Sequence, residues 1–218
     1  RPVISTKVGR LSSESDLIGS YDYSAKGMRR SLQRSLDLLG LERVDLLFLH
    51  EPEVVLHSQR PVVTDALLEF KSAGLARHLG LGGGHGKGWD HFLKRGCFDV
   101  VMIYNRLDAC CLTGMRTDVT ETRRAGAALY GASPLHMGLL GDRLGVYTRG
   151  KPVWISRKAI QTAMQIKALA DKQDMTLSSL AHRFVFSVKE LDRIVLGAGK
   201  MGHLRMALAD WKQGAAPI

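Results

Sequence analysis

Two side chains able to take part in proton chemistry stand at the ends of predicted strands. Lys7 closes the apolar run that starts at Val3, and His50 closes the run that starts at Val44. Parallel α/β folds keep their chemistry at the carboxyl ends of the strands, so we expect both side chains at that edge. A lysine there can lower the pKa of a neighbouring group or act as a base, and a histidine can donate a hydrogen bond to a carbonyl oxygen. Taken singly, each also fits an ordinary role, as a surface lysine and as a hydrogen-bonded core histidine.

A glycine-rich segment near the C-terminus has the chemistry of a phosphate site. Residues 197–202 read Gly-Ala-Gly-Lys-Met-Gly between a predicted strand and a predicted helix. The letters satisfy the dinucleotide fingerprint, but too little chain follows to supply the acidic residue that a Rossmann fold carries about 20 positions later. Glycines still let backbone amides approach a phosphate at the positive end of a helix, and barrel enzymes place phosphates after their last strands. We therefore interpret this segment as a phosphate site, with a plain tight turn as the alternative.

A second glycine run, from Gly82 to Gly88, does not make a P-loop. In the pattern G-x-x-x-x-G-K the first glycine would fall on Leu81, and Lys87 is followed by Gly88 instead of Ser or Thr.

Six β-branched or apolar runs alternate with amphipathic stretches along the chain. The helix that begins near Ser24 stops at Gly40, and Thr176 is a candidate N-cap of a later helix. With no hairpin signal and no linker, the alternation predicts an α/β fold with a parallel sheet in one domain, residues 1–218. A doubly wound sheet and a (β/α)8 barrel both fit. The predicted strands are Val3–Lys7, Val44–His50, His78–Leu81, Val100–Tyr104, Ala127–Ser133 and Arg193–Leu196.

The composition limits which kinds of partner and which cellular compartment we expect for the protein. The 218 residues carry a formal net charge of +10, but the basic residues are scattered and no helix-turn-helix or zinc pattern accompanies them, which argues against a nucleic-acid partner. No run approaches the roughly 20 apolar residues of a membrane span. Three cysteines without metal-ligand spacing indicate ordinary thiols in a reducing compartment. We therefore expect a cytoplasmic protein with no membrane contact and no metal site.

Several motifs occur in an order that few families share. Thr6-Lys7-Val8-Gly9-Arg10 is followed by Val44-Asp45 and His50, and later by Ser133-Pro134-Leu135-His136-Met137-Gly138-Leu139-Leu140. This succession resembles the aldo-keto reductase superfamily over almost the whole chain, and the block that opens with Lys151-Pro152-Val153-Trp154 resembles its sugar-oxidising branch. The resemblance implies an α/β fold of the (β/α)8 TIM-barrel type that lacks its first two β/α units and keeps six parallel strands.

The resemblance also implies a reaction and a set of residues. The reaction is hydride transfer between NADP or NAD and an aldose or related carbonyl or hemiacetal, in a protein that could form oligomers. Lys7 matches the family's catalytic lysine and His50 its substrate-orienting histidine. The family's acid/base tyrosine and its aspartate precede the first strand seen here, so we expect these 218 residues to lack the proton-transferring group. The implied cofactor-binding residues are Gly82, Asn105, Ser133, Leu135, Gly138, Gly197, Gly199, Lys200, His203 and Arg205.

Departures from the family pattern keep a rival hypothesis open. Gly82 and Gly83 stand where the family offers Ser and Asn to the nicotinamide amide, and Met102 stands in place of its glutamine. Met206 and Ala207 likewise replace side chains that hold the adenosine. The rival is a degenerate barrel that binds a nucleotide or a partner protein without turnover.

A barrel that begins at its third strand would also have two unpaired edges, at Val3–Lys7 and Arg193–Leu196. Unpaired edges invite association with other chains. We therefore expect the chain by itself to be unstable.

Overall fold

The computed structural model describes residues 2–11, 20–83 and 88–216. These residues divide into two compact units, one of Arg1–Met102 with Glu121–Ala128 and one of Ile103–Thr120 with Leu129–Ile218. Strands and helices alternate along both units, which confirms the α/β prediction. The single-domain organisation remains a prediction.

The first unit is built on parallel strands. Its elements are the strands β1 (Ser5–Val8), β2 (Arg10–Leu11), β3 (Ser20–Tyr21), β4 (Val44–His50), β5 (Ala76–Gly82) and the start of β6 (Val100–Tyr104), with the helices α1 (Ala25–Leu39), α2 (Arg60–Ser72) and α3 (Asp90–Lys94). β1 pairs with β4, β4 with β5 and β5 with β6, all in parallel. Every residue of β4 up to Leu49 is buried, as expected for a strand with both faces covered.

Helix α1 shows why these residues fold as predicted. Its buried Met28, Leu32 and Leu36 recur at helical spacing on one face. The Ser24 side chain accepts a hydrogen bond from the Gly27 amide at the N-terminus, and Gly40 ends the helix at φ 62°, a left-handed conformation that costs glycine little. The helix therefore has the predicted start and stop.

The second unit contains the remaining elements. They are the helices α4 (Thr113–Arg116), α5 (Asp118–Arg124, which continues into the first unit), α6 (Leu144–Gly150), α7 (Arg157–Lys172), α8 (Leu177–Ser187) and α9 (Met201–Gln213), with the strands β7 (Ala128–Ala132) and β8 (Arg193–Val195). β7 and β8 pair in parallel. A core between the loop after β7 and helices α6, α7 and α8 buries Leu139, Leu140, Ile160, Ala163 and Ala181. Thr176 is the N-cap of α8, as predicted, because its side chain accepts from the Ser179 amide at 3.1 Å.

The expectation that no hairpin occurs is wrong at one place. β2 pairs with β3 in antiparallel fashion, directly after β1. Each strand has two residues, which is too short for an alternating pattern to register in the sequence. The residues 12–19 that join them lie outside the described part of the chain.

None of the helices within the described residues is long and apolar enough to cross a membrane.

Candidate functional site

Lys7 and His50 lie on adjacent strands at the carboxyl end of the first unit's sheet. β1 runs parallel to β4, with Lys7 opposite Phe48 and Val8 opposite Leu49. Burial lowers the pKa of the His50 imidazole below its ordinary 6.5, and the positive charge of Lys7 lowers it further. The ring is therefore neutral at pH 7 and carries one N–H donor. A neutral donor of this kind suits a carbonyl oxygen.

Two tyrosines lie beside this strand end, and both hydroxyls are engaged. Tyr21 Oη donates to Glu51 Oε2 at 2.6 Å. Tyr23 Oη lies 2.9 Å from the carbonyl oxygens of both His50 and Glu51. The hydrogen bond to Glu51 raises the pKa of Tyr21 to about 12, and burial raises the pKa of Tyr23 above its ordinary value. Neither tyrosine is suited to proton transfer near pH 7, so they hold the end of β4 in place instead.

Gly82 ends β5 and Gly83 follows it, in a setting that leaves little room for side chains, least of all at Gly83. A Cβ at Gly83 would lie 2.9 Å from the Glu51 Cα and 2.8 Å from the Pro52 Cδ, and one at Gly82 would lie 3.3 Å from the Phe48 Cβ. Their backbone groups are also used, since the Glu51 amide donates to the Gly82 carbonyl at 2.8 Å and the Gly83 amide donates to the Met102 carbonyl at 3.0 Å. The first unit therefore offers few free groups for a nicotinamide amide here.

Asn105 follows β6 in the second unit and has an unused acceptor. Its backbone is left-handed at φ 53°. Its Oδ1 is buried and has no hydrogen-bond partner among the described residues. A buried carbonyl oxygen without a partner costs free energy, so this atom is a candidate for contact with a bound amide N–H.

A cleft of about 680 Å³ lies within the second unit, between the loop after β7, helices α8 and α9, and the loop after β8. This volume lies in the usual range for small-molecule sites, about 300–1,000 Å³. The predicted residues that line it are Ser133, Leu135, Gly138, Gly197, Gly199, Lys200 and His203. The two motifs that the sequence placed about sixty positions apart on the chain thus face one cavity.

The loop after β7 is held in an uncommon backbone conformation. Ser133, His136 and Met137 have φ of 59°, 48° and 58°, which non-glycine residues rarely adopt. The Met137 amide donates to Ser133 Oγ at 2.9 Å, and the Tyr147 hydroxyl donates to the Met137 carbonyl at 3.1 Å. These contacts fix the wall of the cleft.

The opposite wall is the start of α9. Lys200 is the N-cap of this helix without a side-chain cap, and no acidic residue occupies the first turn. A Cβ added at Gly197, Gly199 or Gly202 would meet no atom within 4 Å, so the backbone there is open to a ligand. The helix N-terminus and the Lys200 ammonium both favour an anion.

The sequence prediction missed part of the lining, and three of the predicted cofactor-binding residues, Gly82, Asn105 and Arg205, do not line the cleft. Arg205 lies exposed on α9 and is not among the residues that line the cleft, so its contact with a phosphate remains a prediction. Arg143 and His182 line the cleft and were not expected there. His182 lies among apolar residues of α8. A histidine on a predicted buried helix face was the sequence signal that could have identified it as a cleft residue. The His182 Nδ1 is tied to Asp210 Oδ2 at 2.9 Å, so its other ring nitrogen remains for further contacts.

The residues of the cleft fit a dinucleotide. Open glycine backbone, a helix N-terminus and the cations Arg143 and Lys200 suit the two phosphates. Asn105 does not line the cleft, but its buried Oδ1, which has no partner among the described residues, suits a carboxamide. Met206 and Ala207 line the cleft without offering a hydrogen bond to an adenine, which leaves that end less specific.

Residues 1–213 match the aldo/keto reductase family, so the chain belongs to this family. Two relatives are sugar dehydrogenases. D-threo-aldose 1-dehydrogenase from Pseudomonas sp is 25% identical over 93% of this chain and 68% of the relative. L-galactose dehydrogenase from Arabidopsis thaliana is 25% identical over 95% of this chain and 63% of the relative. The chain thus spans about two thirds of the length of these curated relatives.

Solved structures confirm the fold class. An aldo-keto reductase from Bacillus halodurans, in its holo form, superposes with a TM-score of 0.74 at 17% identity over 99% of this chain and 68% of that structure. A glycerol dehydrogenase from Gluconobacter oxydans gives 0.72 at 18% identity over 98% and 68%. The predicted barrel-type α/β fold is therefore confirmed.

Proposed function

We propose that the protein containing this chain is an oxidoreductase that transfers hydride between NADP or NAD and an aldose or a related carbonyl or hemiacetal. The observation that carries this proposal is the cleft in the second unit, where the loop after β7 and the glycine-rich start of α9 face one cavity. Family membership and the sugar dehydrogenases among the relatives support the reaction and the substrate class.

The chain's own residues would divide the work between binding and orientation. Lys200, Arg143 and the amides at the start of α9 bind the phosphates, and Asn105 orients the carboxamide. When bound, the nicotinamide ring supplies or accepts the hydride. His50 donates its N–H to the substrate oxygen. Burial, assisted by the charge of Lys7, keeps that imidazole neutral, and the Lys7 charge also stabilises negative charge on nearby oxygen.

The test is a paired measurement of binding and turnover. The protein is titrated with NADPH and NADH, and the absorbance of the reduced cofactor is then followed with a panel of aldoses and simple aldehydes. We expect saturable binding and turnover of at least one aldose with NADP or NAD. If the protein binds the cofactor but turns over no member of the panel, the catalytic part of the proposal is contradicted.

A second candidate function is nucleotide binding without turnover. It is favoured by Gly82 and Gly83, where packing against Phe48 and Pro52 leaves no space for the side chains that would orient a nicotinamide amide. In this case the dinucleotide would bind through its phosphates with a loosely held nicotinamide ring. If adenosine diphosphate, which lacks the nicotinamide, binds with the same affinity as the whole dinucleotide, this second candidate is favoured.

A further inference from the structure

Three side chains of metal-ligand type meet inside the second unit. Asp108 and Cys110 lie in the turn between β6 and α4, and His136 lies in the loop after β7. A carboxylate oxygen, the thiol sulfur and a ring nitrogen all lie within 4.8 Å of one another. The exposed fractions are 1%, 9% and 6% for Asp108, Cys110 and His136, so the three residues are buried. The sequence offered no sign of this grouping, because only the fold brings His136 to the turn.

The present contacts already approximate a coordination sphere. The His136 Nδ1 lies 2.7 Å from Asp108 Oδ2, and the Cys110 thiol donates to Asp108 Oδ1 at 3.2 Å. Metal bonds of about 2.0 Å to nitrogen and oxygen and about 2.3 Å to sulfur, at tetrahedral angles, separate the ligand atoms by roughly 3.3–3.5 Å. Small side-chain rotations would therefore admit an ion between the three groups.

The charges of the cluster also favour a divalent cation. The buried Asp108 carboxylate accepts from the Cys110 amide at 2.9 Å, in addition to the thiol and the ring, but a buried carboxylate is still costly without a positive charge beside it. Arg106, two positions before Asp108, is committed to Asp118, with the Arg106 Nη2 2.8 Å from an Asp118 oxygen. A divalent ion beside the Asp108 carboxylate and a Cys110 thiolate would give a site of zero net charge. Binding releases the thiol proton to solvent, and with Nδ1 on the ion the bound imidazole carries its proton on Nε2.

We propose that Asp108, Cys110 and His136 form a binding site for Zn²⁺ or a cation of similar size and ligand preference. A thiolate with an imidazole selects such ions over Mg²⁺ or Ca²⁺, and water completes the tetrahedron. The ion joins the turn after β6 to the loop that walls the cleft, so its role is structural. The site stands independently of the proposed cofactor.

The experiment uses Zn²⁺ and Co²⁺ alone, on protein first stripped with a chelator. We expect one ion per chain, a higher melting temperature with Zn²⁺, and an intense near-ultraviolet thiolate-to-cobalt absorption with Co²⁺. Cys110→Ser should lose that absorption and bind Zn²⁺ at least roughly tenfold more weakly. Cys111→Ser is the matched control, since this neighbouring thiol contacts Thr113 Oγ1 at 3.3 Å and lies outside the cluster.

A second variant distinguishes a loss of metal binding from a loss of folding. His136→Asn keeps an N–H donor for Asp108 but removes a strong ligand, so it should fold and bind Zn²⁺ at least roughly tenfold more weakly. If wild-type protein shows no thiolate-to-cobalt absorption, or if Cys110→Ser shows the same absorption, the proposal is overturned. Unchanged Zn²⁺ affinity in His136→Asn would overturn the assignment of His136.

Discussion

His50 is half-buried at the end of β4, and the positive charge of Lys7 helps to lower its pKa, so the two residues can be tested as a pair. Lys7→Met removes one of the causes that lower the pKa of His50, and the pKa should rise towards its ordinary value of 6.5. Burial should still hold it below that value. The titration of the imidazole by NMR measures the shift, and Lys26→Met, an exposed change on α1, is the control. No change in Lys7→Met would show that Lys7 does not act on His50.

The same pair predicts how stability depends on pH. Because the pKa of His50 is lower in the folded chain than its ordinary 6.5, the folded state binds fewer protons. The contribution of His50 to the free energy of unfolding should therefore decline as the pH falls below about 6.5. Denaturant unfolding at several pH values should show a smaller decline for Lys7→Met than for wild type. An equal decline would contradict the coupling.

Functional residues could be predicted from the sequence where they belong to a local motif. The glycine-rich turn at 197–202 and the segment at 133–138 have local signatures, and both were assigned to one function. The Asp108 cluster has no local signature, and for His182 the sequence offers its place on an apolar helix face but not its partner, because only packing of distant segments brings the partners together. Asn105 was predicted as a cofactor-binding residue, but its unpaired oxygen depends on the backbone conformation after β6.

At the level of elements, α8 and α9 are joined by a buried polar contact. Asp210 on α9 accepts from Ser179 Oγ on α8 and from the His182 ring, and the side chains of His182 and Asp210 are 4% and 5% exposed. Asp210→Ala leaves the buried His182 ring and the half-buried Ser179 hydroxyl without their acceptor and should lower the free energy of unfolding by about 3 kcal/mol.

The matched control for Asp210→Ala is Asp171→Ala. Asp171 pairs with Lys167 on the exposed surface of α7, so its loss should change the free energy of unfolding by less than about 0.5 kcal/mol. Urea unfolding of the two variants measures both values. Similar effects at the two positions would show that the buried contact does not hold α8 against α9.

How well the bounds of a helix or strand could be predicted depends on whether a local sequence pattern encodes them. α1, β4 and β6 begin and end as predicted because caps, apolar spacing and breakers are local. α4 and α6 are short, and β2 and β3 have two residues each, so their formation depends on tertiary contacts that no short pattern encodes.

For the molecule as a whole, the alternation of strands and helices predicted an α/β fold but left two architectures open. The motifs at strand ends favoured the barrel type, and the superposition on solved aldo-keto reductases confirms it. Periodicity could not decide, because both architectures bury their strands on two faces and cover them with helices.

The 218-residue chain by itself should associate with other copies. β1 pairs with β4, and none of the described strands pairs with its other edge, while Val3 beside it is 78% exposed. An open edge of this kind templates pairing between chains. Sedimentation velocity over a range of concentrations should show association. A monomer of 24.0 kDa that melts cooperatively at every concentration would contradict this expectation.

The most direct test of the central claim is dinucleotide binding at the cleft of the second unit. We expect NADPH or NADH to bind the protein containing this chain saturably by isothermal titration calorimetry. Lys200→Glu should weaken binding by at least about tenfold, because its charge lies at the cleft and faces the phosphates. Arg205→Glu, an equal charge change on the same helix outside the lining, should have a smaller effect. Failure of the folded protein to bind either dinucleotide, or wild-type affinity in Lys200→Glu, would contradict the account.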